Sequence, residues 1–566
     1  MDLYADVTID GKPHGLRFID LKITQELMKS CDMQIYFGFE EHETSDIIDK
    51  TISSWLGKKM VLTISDKMDS SISKKYEGIV TSFNIWEGFI RLNAASEDSK
   101  MDYNARHRSW ADKSINDVAN EIVQSYSFSN SIMTSPSSSL QFKFLHQYDE
   151  YERDFLSRIS SYDGCVFYHD GERFVYEPKL SGSKQINLGL ENISDCYLRG
   201  VIRGTKFRGA PYEYLKHSTP ASNVVDSGNP QLPSYTHSSD VYNKAKSEVT
   251  EKHEIYNRLF TEKSEFEKLI KNRQTFRASG LVRLEGEVNH PMVTIGRSIV
   301  CNDHPILKDP FVVIKLDVEF SGNVYKAQFV AAVKDTVTTL EYAPERDYIG
   351  LLQPAEVVDN KDPNGLGRVQ IKYMWDTDNN AHAWARVVVS FAGADHGSHY
   401  TPRVGDQVLV GCEHGNASLP VVLGSLYHSD NKPDFKTDNG TEEVLLTKTP
   451  AGSEIRVVDK QGSEQIILSM PNQKNVLKME LQGPKITIES VGGTIEVQSK
   501  TVNITADDKI TLTAKDIEIT AQNDFKQNAG NKAELNAATA VKISSTQVES
   551  SAMGNNVIKG AIVQIN

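Results

Sequence analysis

The chain has 566 residues with a net charge of −14 at pH 7, and 39% of its residues are apolar and 24% charged. This length predicts about three or four domains, and the acidic balance argues against a nucleic-acid-binding protein, which usually carries a basic surface. No apolar run approaches the roughly 20 residues that cross a bilayer, and the first residues show no Sec signal, so we expect any export to follow another route. The five scattered cysteines include no C-x-x-C motif, which fits a reducing cytoplasm better than a disulfide scaffold or a zinc site.

Residues 1 to about 100 are predicted to form mainly antiparallel strands. Ile79, Phe83 and Ile85 alternate with polar residues, so we expect these three side chains to share one half-buried face. Strands return after residue 165, and residues 208–238, rich in Ser, Pro, Thr, Asn and Gly, are predicted to form a long loop.

Two amphipathic helices are predicted between these groups of strands, and a third follows the loop. "SINDVANEIVQSY" begins with Ser114 as its N-cap, and Asp117 completes a capping box. "DEYERDFLSRISSYDG" ends at Gly164, the residue type that favours the left-handed conformation after a helix. The third is the charged stretch "EKSEFEKLIKNRQTF". From Leu351, about 80 residues with five short strands and Gly, Asp and Asn turns predict a small barrel such as an OB-fold.

After Gly440 the composition changes, and Phe525 is the only aromatic residue. Aliphatic residues recur as pairs two apart, and nine such units begin between residues 486 and 548 with a mean spacing of 7.75 residues. A spacing of two is the strand period, whereas a coiled coil alternates three and four. Each octad is therefore predicted to be a short strand and a turn.

One such strand cannot bury its apolar face alone, so the octads need either a single-chain solenoid or several chains. A single-chain solenoid would need rungs of about three octads, with recognisable corners repeating about every 24 residues. The sequence shows no repeat of that length. We therefore expect three chains to wind into an intertwined trimeric β-helix, or β-prism, each chain supplying one wall. The predicted needle core comprises Ile486, Ile488, Ile495, Val497, Val502, Ile504, Ile510, Leu512, Ile517, Ile519, Leu535, Val541, Ile543 and Val548.

Several motifs resemble those of the VgrG family, the trimeric spike proteins of type VI secretion, which are similar to fused hub and spike proteins of contractile phage tails. They comprise "QYDEYERDFLSRISSYDGCVFY", Gly367-Arg368-Val369, Trp375-Asp376, Trp384-x-Arg386-Val387, Pro402-Arg403-Val404-Gly405, Gly424-x-Leu426-Tyr427 and the ending "VIKGAIVQIN". The ordered set covers essentially the whole chain. It departs from the family in the octads, where the glycine of the Val-x-Gly repeats is mostly replaced by a second aliphatic residue or Thr.

The resemblance implies a mainly β fold with some α-helix and three domains. Residues 1–350 would form a phage hub-like base of two barrel-like subdomains with inserted helices, residues 351–430 an OB-fold neck, and residues 431–566 the trimeric β-helix spike. The assembled machine would lie in the cytoplasm and release the spike by contraction into the extracellular space or a target cell.

The resemblance also implies partners. These are two further copies of the chain, a hexameric Hcp-like tube protein, baseplate components, effectors and a PAAR-type tip protein, with transient contact with the target membrane and no nucleic acid. The tip protein would bind the end formed by Gly560, Ala561, Ile562, Val563, Gln564, Ile565 and Asn566.

Two short patterns imitate catalytic motifs but lack a required part. Gly365-x-Gly367 is followed by a strand pattern and not by a helix, so a hairpin turn is favoured over a dinucleotide site. His253-Glu254 begins like the motif of a zinc protease, but Asn257 stands where the second histidine is needed.

Two further patterns resemble parts of metal-binding sites. Asp376-x-Asp378-x-Asn380 begins like a calcium loop, yet Ala381 occupies the position that needs glycine. Five histidines lie within 47 residues, and exposed loop histidines are favoured over a metal site for them: His382, His396, His399, His414 and His428. We therefore predict no catalytic, metal-binding or cofactor-binding residues and no cofactor, and do not expect an enzyme.

Two other functions compete with the puncturing spike. Glu496, Asp507, Asp508 and Glu518 could serve a trimeric tailspike enzyme that degrades envelope polysaccharide, although lysines intersperse these carboxylates and Phe525 alone cannot build a sugar-stacking surface. A trimeric adhesin would need aromatic or variable loops at the end of the rod, where small and aliphatic residues stand instead. The divergent first 100 residues also leave open the spike of an extracellular contractile injection system.

Overall fold

The computed structural model describes two compact units, which divide the chain between residues 434 and 435. The described residues are 1–40, 54–86, 88–136, 139–180, 184–211, 224–229, 238–257, 262–334, 352–376, 381–433 and 444–565, with single positions at 45, 48, 182, 214, 215 and 336. Much of the predicted loop at 208–238 lies outside them. No helix among these residues is long and apolar enough to cross a membrane.

Strands dominate the described part of the chain. In the first unit they are β1 Leu3–Ile9, β2 Lys12–Pro13, β3 Arg17–Glu26, β4 Asp32–Gly38, β5 Lys59–Asp66, β6 Ser73–Trp86, β7 Phe89–Ala95, β8 Ala105–Ser114, β9 Ser131–Met133, β10 Gln141–Tyr151, β11 Val166–His169, β12 Phe174–Glu177, β13 Gln185–Asn187, β14 Ile193–Gly200, β15 Phe207–Pro211, β16 Val225–Asp226, β17 His253–Asn257, β18 Val282–Val288, β19 Ser298–Val300, β20 Phe311–Ser321, β21 Val324–Val333, β22 Gln353–Asp359, β23 Val369–Tyr373, β24 Ala383–Val387, β25 Ala392–Gly393, β26 His396–Gly397, β27 Gln407–Cys412 and β28 Pro420–Leu426. The α-helices are α1 Ile115–Ser125, α2 Glu152–Asp163, α3 Ser238–Glu248 and α4 Lys263–Ser279. The second unit contains β29 Val444–Lys448, β30 Glu454–Val458, β31 Gln465–Ser469, β32 Asn475–Glu480 and β33 Lys485–Ser490.

A 13-stranded sheet organises the first 333 residues. Its main path runs β14-β18-β21-β20-β3-β4-β7-β6-β5-β1-β2, and β13 and β19 join through β20. The centre of the path pairs β3 with β20 antiparallel, with Lys22 opposite Glu319, so the beginning and the end of this region form one sheet. Alternate side chains of these strands build one hydrophobic core. The expected two barrel-like subdomains stay a prediction.

A bulge in β6 changes which residues face that core. The register of β6 against β7 shifts between Val80 and Ser82. Val80 is buried before the bulge, whereas Phe83 and Ile85 pack against the core after it. Because one extra residue reverses the faces of a strand, the prediction that Ile79 shares a face with Phe83 and Ile85 is wrong.

The helices follow the sequence signals closely. At α1 the backbone N–H of Asp117 donates to Ser114 Oγ at 3.1 Å, and the Ser114 N–H donates to the Asp117 carboxylate at 3.2 Å, which confirms the capping box. Helix α2 ends at Gly164 with a φ of 75°, as predicted. It begins at Glu152, later than expected, because the preceding residues extend β10. Helices α1, α2 and α4 enclose a second hydrophobic core.

A closed five-stranded barrel follows, in the order β22-β23-β24-β28-β27, which confirms the prediction of an OB-type domain. The Gly365-x-Gly367 segment is a turn with φ of 65° and 69° that leads into β23, so it has the geometry expected of a turn and not of a nucleotide-binding loop.

Candidate spike segment and base–barrel junction

Residues 444–490, here called the collar, form a five-stranded antiparallel sheet in the order β29-β30-β31-β32-β33. The register aligns two rows of side chains on one face, because directly opposite residues of neighbouring strands point the same way. The rows are Leu445, Val457, Ile466, Met479 and Ile486, and Thr447, Ile455, Leu468, Leu477 and Ile488. Nine of these ten side chains are apolar.

The opposite face of the collar carries most of its charge. Arg456 pairs with Glu454 at 3.0 Å and Lys478 with Glu480 at 2.9 Å. The row Lys448, Glu454, Ser469, Val476 and Glu489 is almost entirely polar. The collar is therefore an amphipathic sheet.

The apolar face of the collar is largely exposed in the described part of the second unit. Ile486 is 70% exposed, and Ile455, Ile466 and Ile488 are also exposed. Around the second row the sheet bounds a concave space of about 640 Å³, lined in part by Ile455, Leu468, Leu477 and Ile488. Exposed apolar areas of this kind are typical of surfaces that another protein covers.

Residues 491–565, here called the octad segment, contain no regular strand in the single chain. Of the fourteen predicted core residues, Ile486 and Ile488 lie in β33, and the other twelve lie in this segment with exposed fractions between 49% and 75%. The structure of one chain thus does not bring them together, and the needle core stays a prediction.

The predicted tip site occupies the end of the same segment. The described residues Gly560 to Ile565 are all exposed, whereas Asn566 lies outside the described residues. Ile562, Val563 and Ile565 are large apolar side chains that are exposed in the described structure.

In the first unit, strand β10 packs against the barrel through aromatic side chains. Phe144 is part of the barrel's hydrophobic core. The ring of His146 lies 4.5 Å from that of Trp375 and 5.8 Å from that of Tyr373. The Gln353 side chain donates a hydrogen bond of 3.2 Å to the Tyr148 hydroxyl. These contacts join residues 1–334, here called the base, to the barrel, and we call this group of contacts the junction.

His146 is the buried polar group of the junction. Burial, together with the nearby Arg158 cation, lowers its pKa to about 3. Its Nε2 and the Nε1 of Trp375 have no hydrogen-bond partner among the residues that the structure describes. A neutral imidazole packed among rings therefore suits this site, whereas an imidazolium does not.

Paired charges behind the junction hold β10 and α2 together. Arg158 donates to both oxygens of Glu150, at 3.0 and 2.8 Å, and to the His146 carbonyl at 2.9 Å. Arg153 pairs with Asp98 at 3.0 Å and with Asp102 at 2.7 Å.

Glu152 adds a further buried carboxylate to this network. It accepts hydrogen bonds from Arg108 and from the Tyr126 hydroxyl. Glu150, Glu152, Arg153 and Arg158 all belong to "QYDEYERDFLSRISSYDG", which therefore stabilises the fold. Sequence reasoning missed this role, because a charge-rich stretch gives no local sign that its charges are buried.

A buried ion pair shapes the turn between β22 and β23. The Asp362 carboxylate accepts from the guanidinium of Arg368 at 2.7 Å and from the backbone N–H groups of Asn364, Leu366 and Arg368. Burial raises the pKa of Asp362, but these hydrogen bonds outweigh it and hold the pKa well below its usual range. Gly367-Arg368-Val369 is thus a structural motif here.

The rejected metal and catalytic patterns gain no support from geometry. Among the described residues, no three His, Cys, Asp or Glu side chains are grouped so that they could hold a metal ion. His396 contacts the Ala394 carbonyl, and His399 contacts Thr401. His253-Glu254 lies in β17 and not in a helix, and residues 377–380, with most of the calcium-like pattern, lie outside the described residues.

Two family patterns match the chain. The phage tail baseplate hub (GPD) pattern matches residues 48–324. The type VI secretion system/phage-baseplate injector OB domain pattern matches residues 353–427, which contain the closed barrel.

Individual relatives point the same way. The chain is 38% identical over 111 residues to the type VI secretion system spike protein VgrG5 of Pseudomonas aeruginosa, over 18% of this chain and 14% of that protein. It is 21% identical over 475 residues to the actin cross-linking toxin VgrG1 of Vibrio cholerae, over 76% of this chain and 42% of that protein. The chain thus spans less than half the length of these relatives. A solved structure of a Francisella PdpA-VgrG complex covers 86% of this chain and 88% of its own, with a TM-score of 0.55 and 9% identity, and so has a similar fold.

Proposed function

Because this chain belongs to the VgrG family of type VI secretion spike proteins, we propose that it forms a homotrimeric spike at the tip of a contractile injection machine. In this proposal the base docks on a hexameric Hcp-like tube among the baseplate components, the OB-type barrel is the neck, and residues 431–566 form the needle. The observation that carries it is the long series of exposed apolar side chains in the collar and octad segment.

Energetics favour several chains over one for this region. Fully burying one Val, Leu or Ile side chain contributes about 1.5–3 kcal/mol, and the twelve octad core residues, which are 49–75% exposed, gain only part of this in a single chain. Two inward side chains per octad supply one wall of an enclosed core, and three walls close a prism. Closure also pairs the strand edges, which would otherwise attract other chains.

The proposed action is mechanical. The machine assembles in the cytoplasm, and contraction drives the needle through a target envelope into the extracellular space or the target cell. Effectors travel on the spike, its tip protein or the tube, and the chain itself performs no catalytic step. The name of the Vibrio cholerae relative describes an actin cross-linking toxin, and that activity is stated of that protein alone.

The purified chain is expected to be a trimer. Multi-angle light scattering at micromolar concentration should give three times the chain mass of 63.2 kDa. Replacing Lys500 with glutamate, on a polar position of the octad segment, should leave this mass unchanged. A stable monomer of the wild-type chain would refute the proposed spike.

Deleting Gly560 to Asn566 is expected to abolish binding of a PAAR-type tip protein while the trimer persists, because the exposed Ile562, Val563 and Ile565 would form the covered end face. The measurement is co-purification of the tip protein with full-length and shortened spikes. Unchanged co-purification would show that the tip protein binds elsewhere.

A further inference from the structure

We propose that the collar is the surface on which three copies of this chain align, so that it sets the register of the needle that follows. This inference rests on the trimeric spike proposed above and concerns which part of the spike fixes its alignment. The occupant of the apolar face is thus a further copy of the chain.

The octads alone do not fix the register in which three chains align along the needle. Successive units carry nearly the same aliphatic pair, as in Val502 and Ile504 or Ile510 and Leu512. If one chain slides by a whole octad, aliphatic residues still meet aliphatic residues at most layers. Repetitive strands of this kind are prone to register slips.

The collar has the features that the octads lack. Its five strands have a fixed register and are joined in part by tight turns with Gly452, Gly462 and Gly483 at positive φ. A one-residue slip of any strand would exchange an apolar row for the charged face. The two rows also differ from each other, since only one contains a hydroxyl, Thr447.

The position of the collar in the chain identifies its occupant. Its apolar rows end at Ile486 and Ile488, the first predicted core residues of the needle, and Ile495 of the next octad lines the same concave space. The face is therefore continuous with the proposed needle core. A surface that continues into a threefold core is covered by the same chains that form that core.

Two isoleucines provide a matched test. Ile455 of the collar and Ile510 of the octad segment are exposed to nearly the same extent in the single chain, 54% and 53%. Each is replaced by serine in the full-length protein. Register is read from spin-label distances after Ser499→Cys, with the wild-type chain labelled in parallel to account for native cysteines.

The two variants should differ in alignment. The parent and Ile510→Ser are expected to be trimers with a single interchain distance. Ile455→Ser is expected either to lose at least half of its trimer fraction or to show additional distances from slipped chains. Leu468→Ala is a milder change in the same row, and it replaces Ile455→Ser as the collar variant if Ile455→Ser is insoluble.

Each outcome has a separate meaning. If Ile455→Ser or Leu468→Ala gives the same trimer fraction and single distance as Ile510→Ser, the collar does not set the register and this inference is overturned. If the parent itself is monomeric, the proposed spike fails as well. Slipped distances in Ile510→Ser with none in the collar variants would place alignment in the octads and also overturn the inference.

Discussion

Replacing Arg158 with methionine is expected to destabilise the base by about 3–5 kcal/mol, the usual cost of leaving one partner of a buried ion pair alone. The side chains of Arg158 and Glu150 are only 3% and 1% exposed. Methionine keeps much of the arginine's volume but removes the hydrogen bonds that Arg158 donates to the Glu150 carboxylate and to the His146 carbonyl. The measurement is the free energy of unfolding of the base by urea, followed by tryptophan fluorescence.

An exposed ion pair provides the control for this experiment. Lys22 and Glu319 pair at 2.8 Å with 57% and 62% of their side chains exposed. Lys22→Met should change the free energy of unfolding far less than Arg158→Met does, because exposed ion pairs contribute little to stability. The double variant Arg158→Met with Glu150→Leu should recover part of the loss, because no buried charge then remains unpaired. Equal effects of Arg158→Met and Lys22→Met would contradict the stabilising role of the buried pair.

The junction is expected to weaken in acid because of His146. Its pKa is about 3 in the folded chain against an ordinary value of 6.5. As the pH falls below about 6.5, the unfolded chain binds this proton and the folded chain does not. The free energy of unfolding therefore falls between about pH 6.5 and 3 and is unaffected by His146 above that window. Each unit of pKa difference corresponds to about 1.4 kcal/mol.

His146→Phe should isolate this contribution. Phenylalanine can stack on Trp375 and Tyr373 but takes up no proton. Carboxylates also titrate in this window, so the quantity to compare is the difference in melting temperature between the wild type and the variant at pH 7, 6, 5 and 4.5. This difference should grow in favour of the variant as the pH falls. Parallel pH profiles would exclude His146 as the acid-sensitive group.

Local signals in the sequence predicted local structure well. The capping box at Ser114 and Asp117 and the helix end at Gly164 depend on residues a few positions apart, and both predictions are confirmed. The closed barrel followed from its short strands and turns. The face assignment in β6 failed because a bulge depends on the partner strand, which the sequence of β6 does not show.

Long-range arrangements were harder to predict from the sequence. The collar rows are visible as alternation within each strand, yet the turns between them vary in length, so they lack the period that made the octads evident. The burial of Glu150 and Arg158 depends on the packing of β10, α2 and the barrel. No pattern within "QYDEYERDFLSRISSYDG" distinguishes these residues from charges on an exposed helix.

The pairing of β3 with β20 has a consequence for synthesis of the protein. Lys22 and Glu319, paired across these strands, are 297 residues apart in the chain. At about 5–20 residues per second, the ribosome needs roughly 15 to 60 s to make β20 after β3. During that time one edge of β3 lacks its native neighbour and offers unpaired backbone groups to other nascent chains. The collar and octad segment are translated only afterwards, so each base can complete its sheet before these exposed apolar segments emerge from the ribosome.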